Sequence, residues 1–480
     1  MLKVLIFTVV HLLAITGTGQ TTWRKTYGGH GSENGREIIA LTNGNFLCVG
    51  STGSFGLGGG DAYVLMLDPS GEIIWSKYLG GIGVDEAVGV VIYLNDFLIV
   101  GSTSEGEHGG YDIMAVRIDM DGEVMWQRSY GTEEWDFGHA VGVDIDEFYL
   151  LGSSYIQGIR LPYLMKCNSN GDTLWSRIYS EYEGVSFTDG EFNSVHSNDD
   201  GMYVCGSIGT TADPSEAMVA SIDENGDVTW MTLFGGEGDD IANDLTSDVN
   251  GNLYVCGSSS SNAVHLQIYL QEVMPDGELS WQQFYGVGDD FEGNSIDIVP
   301  NSGFAISGYN SVFSAGGKDM YLLRTDEEGW FIFGKNYGGM EYEEAHGVAV
   351  LNDGFIVIGT TEGYGPGNRS MYVVRSDEFG ETEDDTVYET FDPVSVPSHY
   401  RQPFNLYPNP VVSEGVLNIS SPQQELVRSI TLTDLSGRVI VQQDCFACTS
   451  FKLPSVSHGL YNLMVEIDGG VRSVHPIIIN

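Results

Sequence analysis

One phrase constrains the fold of this 480-residue chain more than any other feature: an aromatic anchor, a second large apolar residue four places on, then one or two glycines in every copy but the one at Trp175. It reads Trp23-Arg-Lys-Thr-Tyr-Gly-Gly, Trp75-Ser-Lys-Tyr-Leu-Gly-Gly, Trp126-Gln-Arg-Ser-Tyr-Gly, Trp175-Ser-Arg-Ile-Tyr, Trp230-Met-Thr-Leu-Phe-Gly-Gly and Trp281-Gln-Gln-Phe-Tyr-Gly. A degenerate seventh copy has Phe333 in place of Trp, ahead of Tyr337-Gly-Gly. The anchors stand roughly fifty residues apart, the signature of a repeat in which each unit buries its apolar face against its neighbours.

Each unit reads as strands. In the first, Arg36–Leu41, Asn45–Thr52, Asp61–Asp68 and Glu72–Leu79 are short, rich in β-branched and aromatic residues, and bounded by Gly, Asn, Asp or Pro. Four antiparallel strands are the content of one propeller blade, and no segment offers a sustained helical period. Ahead of each anchor position runs a turn: Asp68-x-x-Gly71, Asp119-x-x-Gly122, Asn168-x-x-Gly171, Asp223-x-x-Gly226, Met274-x-x-Gly277, Asp326-x-x-Gly329 and Asp377-x-x-Gly380. Asp or Asn accepts hydrogen bonds from the turn amides and Gly takes a positive φ, so a structural role accounts for the motif. Each Trp (Trp23, Trp75, Trp126, Trp175, Trp230, Trp281) is expected to fill a core between blades.

The two ends of the array carry the sharpest expectation. After Asp377 the next anchor position falls on Asp384, where nothing resembles a Trp strand, while Trp23 has its strand but no three strands before it. The N-terminal strand is therefore expected to complete the last blade, giving an all-β, seven-bladed propeller over residues 21–380 with both sheet edges hidden. These repeats resemble the seven-bladed β-propeller repeat family and its relatives in exported proteins of the Bacteroidota. The likeness rests on Trp-x-x-x-Tyr-Gly-Gly, on the Gly-Ser or Gly-Thr that ends the second strand (Gly50, Gly101, Gly152, Gly206, Gly257, Gly359), and on the Asp-x-x-Gly turn. Gly308-Tyr and Leu161-Pro depart from it locally.

A formal net charge of −47 with 20 Lys and Arg excludes nucleic acid as a partner and leaves a cation or a neutral ligand as the natural one. The same acid also keeps an exported protein soluble. Lys3, the apolar run from Val4 to Ala14 and the small, polar stretch up to Gln20 read as a secretory signal over residues 1–20, too short to span a bilayer. No other stretch approaches a transmembrane helix. Cys48, Cys205 and Cys256 occupy apolar strand positions and read as buried thiols. Cys445 and Cys448 are close enough in sequence for a local disulfide, and without a companion pair they make a poor zinc site.

Residues 381–403 are acidic, then Pro-bearing and without period, and read as a linker. Over 404–480 alternating short segments suggest a small β-sandwich. This tail resembles the type A C-terminal sorting domain of the type IX secretion system, through Tyr407-Pro408-Asn409-Pro410, Leu435-Ser-Gly437-Arg438, Gly459-Leu-Tyr461 and the terminal strand. The resemblance implies the secretion machinery as a partner, transfer across the outer membrane, and a secreted or surface-attached product.

Two rings of polar residues bear on function. An acid recurs after each phrase at Glu33, Asp85, Asp136, Asp240 and Glu343, with Asp290 one place early. Such carboxylates hold Ca²⁺ only where several converge, and one per blade sets them around a circle, so turn capping and solvation account for them and no metal or cofactor is assigned. Three residues further on come Arg36, Val88, His139, Asn193, Asn243, Asn294 and His346, at the start of each innermost strand. The polar members are expected at one mouth of the central channel, where they either bind a polar ligand or satisfy backbone groups of the adjacent blade. The string from Leu67 to Trp75 also resembles the repeat of quinone-cofactor dehydrogenase propellers, but the chain has no adjacent Cys pair, nucleophile elbow, zinc-protease helix or phosphate loop. The reading is a non-catalytic binding or scaffold propeller for a glycan or surface protein, with a polysaccharide hydrolase or lyase as the alternative.

Overall fold

Segments that are apolar at consecutive positions cannot keep one face wet, and they become the middle strands of each blade. Phe46–Thr52 and Asp61–Leu67 are buried almost throughout, whereas the Trp-bearing strands such as Ile73–Leu79 and Thr173–Ile178 are largely open on their outer face. The structure is a computed structural model. It describes residues 22–480 apart from 57, 199–200, 214, 313, 315, 384–385, 392–404, 408–411, 413–414, 421–426, 434–438, 445–447, 468–471 and 480. The expected signal over residues 1–20 and the expected anchor position at Asp384 lie outside the described residues.

Six four-stranded antiparallel sheets and one five-stranded sheet form seven blades. The five-stranded sheet runs Glu343–Leu351, Gly354–Thr361, Ser370–Asp377, Trp23–Gly28 and Val387–Phe391. The N-terminal strand thus closes the ring as its sequence implies, antiparallel to Ser370–Asp377 with Trp23 opposite Arg375 and Tyr27 opposite Met371. The structure adds something the spacing does not show. Val387–Phe391, inside the segment read as a linker, pairs parallel with the closing strand from Arg24↔Val387 to Gly28↔Phe391. That cover is why Lys25 and Thr26 are buried in the closing strand.

Cores form between blades. Leu47, Val64 and Met66 of the first blade meet Ala87, Phe97 and Ile99 of the second, and Trp23, Tyr27, Met371 and Val373 of the last blade meet Phe46, Tyr63 and Leu65 of the first. The recurring phrase stitches the same junctions by hydrogen bonds. Its Tyr hydroxyls donate to the Gly carbonyl of the next blade's turn: Tyr27 to Gly71 (2.8 Å), Tyr130 to Gly171 (2.7 Å), Tyr179 to Gly226 (2.8 Å), Tyr285 to Gly329 (2.6 Å) and Tyr337 to Gly380 (2.8 Å). Where the phrase has Phe234 instead, Thr232 supplies the hydroxyl to Gly277 at 2.7 Å. The indole N–H of Trp23 donates to the carbonyl of Pro69 and that of Trp230 to Pro275, each at 3.2 Å.

The Trp expectation needs refinement. Trp23 is buried, but Trp75, Trp126, Trp175, Trp230 and Trp281 are half-buried at the margins of the inter-blade cores. They lie on the outermost strand, so only the turn of the next blade covers them. The turn glycine is what admits the ring: Gly71 has φ +78°, and a Cβ there would lie 2.8 Å from the Trp23 indole.

The described residues divide into two compact units at Asp392/Pro393. In the second, a three-stranded sheet (Asn405–Tyr407, Val416–Ser420, Ser450–Lys452) and a four-stranded sheet (Val439–Asp444, Val427–Thr433, Gly459–Ile467, Arg472–Ile479) share one core around Leu417, Ile430, Phe451 and Ile477. Tyr407 and Gly459 lie in strands, and Tyr461 is buried with its hydroxyl 2.9 Å from the Ser457 carbonyl. Pro408, Asn409, Pro410, Gly437 and Arg438 lie outside the described residues. Cys48, Cys167, Cys205 and Cys256 are buried free thiols, and Cys448 is disulfide-bonded. Cys445 lies outside the described residues.

Candidate functional site

Every innermost strand carries one extra residue. The ladder to the second strand slips between Gly35 and Glu37, Ala87 and Gly89, Gly138 and Ala140, Phe192 and Ser194, Ala242 and Asp244, Gly293 and Ser295, and Ala345 and Gly347. The bulged residues are therefore Arg36, Val88, His139, Asn193, Asn243, Asn294 and His346, the set picked out by spacing alone. A bulge re-aims its side chain out of the regular alternation, and here all seven line one central cavity of about 870 Å³.

Four of them reach across to the next blade. His139 Nδ1 lies 2.9 Å from Phe192 O, Asn193 Nδ2 donates to Ala242 O at 3.0 Å, Asn243 Nδ2 to Gly293 O at 2.9 Å, and Asn294 Nδ2 to Ala345 O at 2.8 Å. Each acceptor is the carbonyl just before the next bulge, so one innermost strand is clipped to the next through the third to seventh blades. With a carbonyl as partner, His139 carries its proton on Nδ1. Arg36 and His346 behave differently. The Arg36 guanidinium stands 3.7 Å from Glu86, and His346 Nε2 stands 3.3 Å from Glu344 Oε1. The hydrogen bond and charge of His346 outweigh burial and hold the Glu344 carboxyl down at about 2.

The same cavity is lined by three carboxylates that the spacing argument missed, Glu37, Asp244 and Asp297. Asp244 accepts hydrogen bonds from Ser194 Oγ (2.7 Å), its neighbour Leu245 N (2.8 Å) and Ile296 N (2.9 Å), which ties three blades together. Asp297 accepts from Ile298 N and Val350 N, each at 2.8 Å. Glu37 accepts from Ile38 N at 2.8 Å. All three are half-buried in the channel wall. Burial first, then repulsion from Asp244 and Asp297, pushes the Glu37 carboxyl up to about 8. Burial also raises Asp244 and Asp297, against the hydrogen bonds that favour their charge. The sequence signal was positional: Glu37 and Asp244 each directly follow a bulge residue, and Asp297 stands three places after one.

A raised carboxyl has a definite pH signature. Glu37 in the folded state binds its proton up to about pH 8, against an ordinary value of 4.5, so the protein loses stability as pH rises through that window. Glu37→Gln is expected to flatten this fall and to stabilise the protein at pH 8 by on the order of 1–2 kcal/mol, discounted for channel water. Thermal melts of both proteins between pH 5 and 9 check it; parallel curves would refute it.

The recurring acids Glu33, Asp85, Asp136, Asp240 and Glu343 are buried rather than solvated. Each closes its turn by accepting the amide four residues earlier: Gly29 N to Glu33 (3.1 Å), Gly81 N to Asp85 (2.9 Å), Thr132 N to Asp136 (2.6 Å), Gly236 N to Asp240 (3.0 Å) and Gly339 N to Glu343 (2.8 Å). The capping half of the expectation holds and the solvation half does not, because the turns fold back over the blade junction. Asp290 takes no part, since Phe291 occupies the equivalent buried strand position. Asp290 instead accepts from Leu266 N at 3.0 Å, beside Asp289 and His265. These three are the one group of three His, Cys or acidic residues, among the described residues, whose ligand atoms come together, and His265 and Asp289 are open to solvent.

Fold and site define the class as a seven-bladed β-propeller with polar side chains around its channel. Residues 229–262 match a beta-propeller repeat model, and residues 405–480 match the model of a secretion system C-terminal sorting domain. The chain is thus a propeller-repeat protein with a type IX sorting tail, exported to the cell surface or the medium. No helix among the described residues is long and apolar enough to cross a membrane. No curated protein matches the chain. Among solved structures, the extracellular domain of a hybrid two-component system from B. thetaiotaomicron is similar at 12% identity and a TM-score of 0.42, over 93% of this chain and 57% of that one. Sqt1 from Chaetomium thermophilum is similar at 11% identity and a TM-score of 0.42, over 74% of this chain and 97% of that one. The chain spans just over half the length of the two-component relative.

Proposed function

We propose that residues 21–380, with the edge strand Val387–Phe391, form a non-catalytic binding module whose ligand, a surface glycan, enters the central channel, with 404–480 as export tail. One observation carries this reading: Arg36, His139, Asn193, Asn243, Asn294 and His346 come from six different blades and converge on one cavity that also holds Glu37, Asp244 and Asp297. Saccharide hydroxyls donate and accept at once, and this wall offers both donors and carboxylate acceptors. Asn193, Asn243 and Asn294 are committed to inter-blade carbonyls, so Arg36 and His346 are the side chains left to discriminate between ligands. A glycan array on the intact protein, followed by titration of any hit, is expected to give saturable binding without products. Arg36→Ala or His346→Ala is expected to weaken that binding about 10-fold to 100-fold, the range for a lost charged hydrogen bond. Unchanged affinity in both variants would move the site out of the channel.

A specific observation supports the rival reading as a polysaccharide hydrolase or lyase. A carboxyl pushed up to about 8, as in Glu37, stays protonated at neutral pH as a general acid must. Products released from an array hit and abolished in Glu37→Gln would establish it in place of simple binding.

A further inference from the structure

The acids that recur after each phrase meet a second set that starts the third strand of the preceding blade. At the junction of the second and third blades these are Asp136 and Asp112, both fully buried. One oxygen of each is used: Thr132 N donates to Asp136 Oδ2 at 2.6 Å, and His108 N to Asp112 Oδ2 at 3.0 Å. Oδ1 of each has no hydrogen-bond partner. Gly131 leaves the space between them, since a Cβ there would lie 2.7 Å from Asp136 Oδ2 and 2.8 Å from Asp112 Oδ1. Among the described residues no Lys or Arg forms an ion pair with either carboxylate.

A third unpartnered oxygen belongs to the strand paired with Asp136. Ser154 faces Asp136 directly across the sheet, is fully buried, and its Oγ also lacks a partner. Two other blades show what would fill that gap. Where the recurring acid is Glu, its extra methylene carries Oε1 to the opposite hydroxyl, 3.0 Å from Thr52 for Glu33 and 2.7 Å from Thr361 for Glu343. Asp136 is one carbon too short for this contact. Two buried carboxylates without a counter-charge are costly, and one proton shared between them would still leave the Ser154 hydroxyl oxygen without a partner.

We propose that Asp112, Asp136 and Ser154 form a buried site for a hard divalent cation, calcium in an exported protein, which pins the second blade to the third. The donor set is oxygen only, as calcium prefers, and it neutralises the pair that burial penalises. The repeat itself suggests the control variant. Asp136→Glu should close the gap as Glu33 and Glu343 do, and so fold normally while abolishing the site.

The test is calorimetric titration of CaCl₂ into chelator-treated full-length protein, with MgCl₂ and KCl in parallel, alongside thermal melts. The wild-type protein is expected to bind calcium and melt at higher temperature with it than in EDTA. Asp136→Glu is expected to bind one equivalent fewer and to melt in EDTA no lower than the wild type. Absence of calcium binding by the wild type, or full stoichiometry in Asp136→Glu, would overturn the site and assign the gap to a buried water or a shared proton.

Discussion

A chain lacking residues 21–29 is expected to lose its cooperative melt and to accumulate as aggregate, because the closing strand holds the last blade from both sides. The deletion removes the antiparallel ladder to Met371–Arg375 and the parallel one to Val387–Phe391. It also removes Tyr27, which is fully buried, and Trp23, whose rings fill the core shared with Phe46, Tyr63 and Met371. Loss of either aromatic alone costs about 3–5 kcal/mol, and the two together approach the whole stability of a typical domain. The strand left behind, Ser370–Asp377, is apolar from Met371 to Val374 and would present an open edge, the usual template for aggregation. Soluble yield and a melt by circular dichroism read the outcome, and addition of a peptide spanning the deleted strand should restore the transition. A truncated protein that melts cooperatively within a few degrees of the intact one would show that Val387–Phe391 can close the ring by itself.

The second large effect is expected at Tyr337, the last aromatic of the repeating phrase. It is fully buried against Ala305, Met320, Phe355 and Val374, and its hydroxyl donates to Gly380 O at 2.8 Å. Tyr337→Ala should cost about 3–5 kcal/mol through the cavity and the orphaned carbonyl, whereas Tyr337→Phe keeps the packing and should cost about 1 kcal/mol. Half-buried Trp281 sets the contrast: Trp281→Ala should cost less than Tyr337→Ala, because water already reaches part of its ring. Chemical denaturation of the three variants ranks them, and a Trp281→Ala protein weaker than Tyr337→Ala would place the main anchor on the outer strand after all.

Much of the fold was legible because a propeller repeats one local rule. The phrase, the turn glycine and the apolar second and third strands each act within about fifty residues, so spacing alone locates blades and the missing fourth strand. The cover by Val387–Phe391 was not legible, since a parallel edge strand needs neither alternation nor a turn signal and Val-Tyr-Glu-Thr-Phe follows an acidic run. The ring of bulged residues was found by its position relative to the anchor, but two features separated its members only in three dimensions. Asn193, Asn243 and Asn294 are committed to neighbouring carbonyls, and Arg36 and His346 are not.

Sequence by itself determined the blade count, the closure by Trp23–Gly28 and the export tail, because each is written in residues close together in the chain or at a fixed period. Only the tertiary structure decided which charges meet. Glu37, Asp244 and Asp297 lie in different repeats and share a channel solely because the ring closes, and their mutual repulsion follows from that closure. Asp112 and Asp136 come together through the packing of the second blade on the third, which sets their side chains on either side of Gly131. A carboxylate's charge state depends on what burial and neighbours do to it, and neighbours from other repeats are set by packing rather than by spacing.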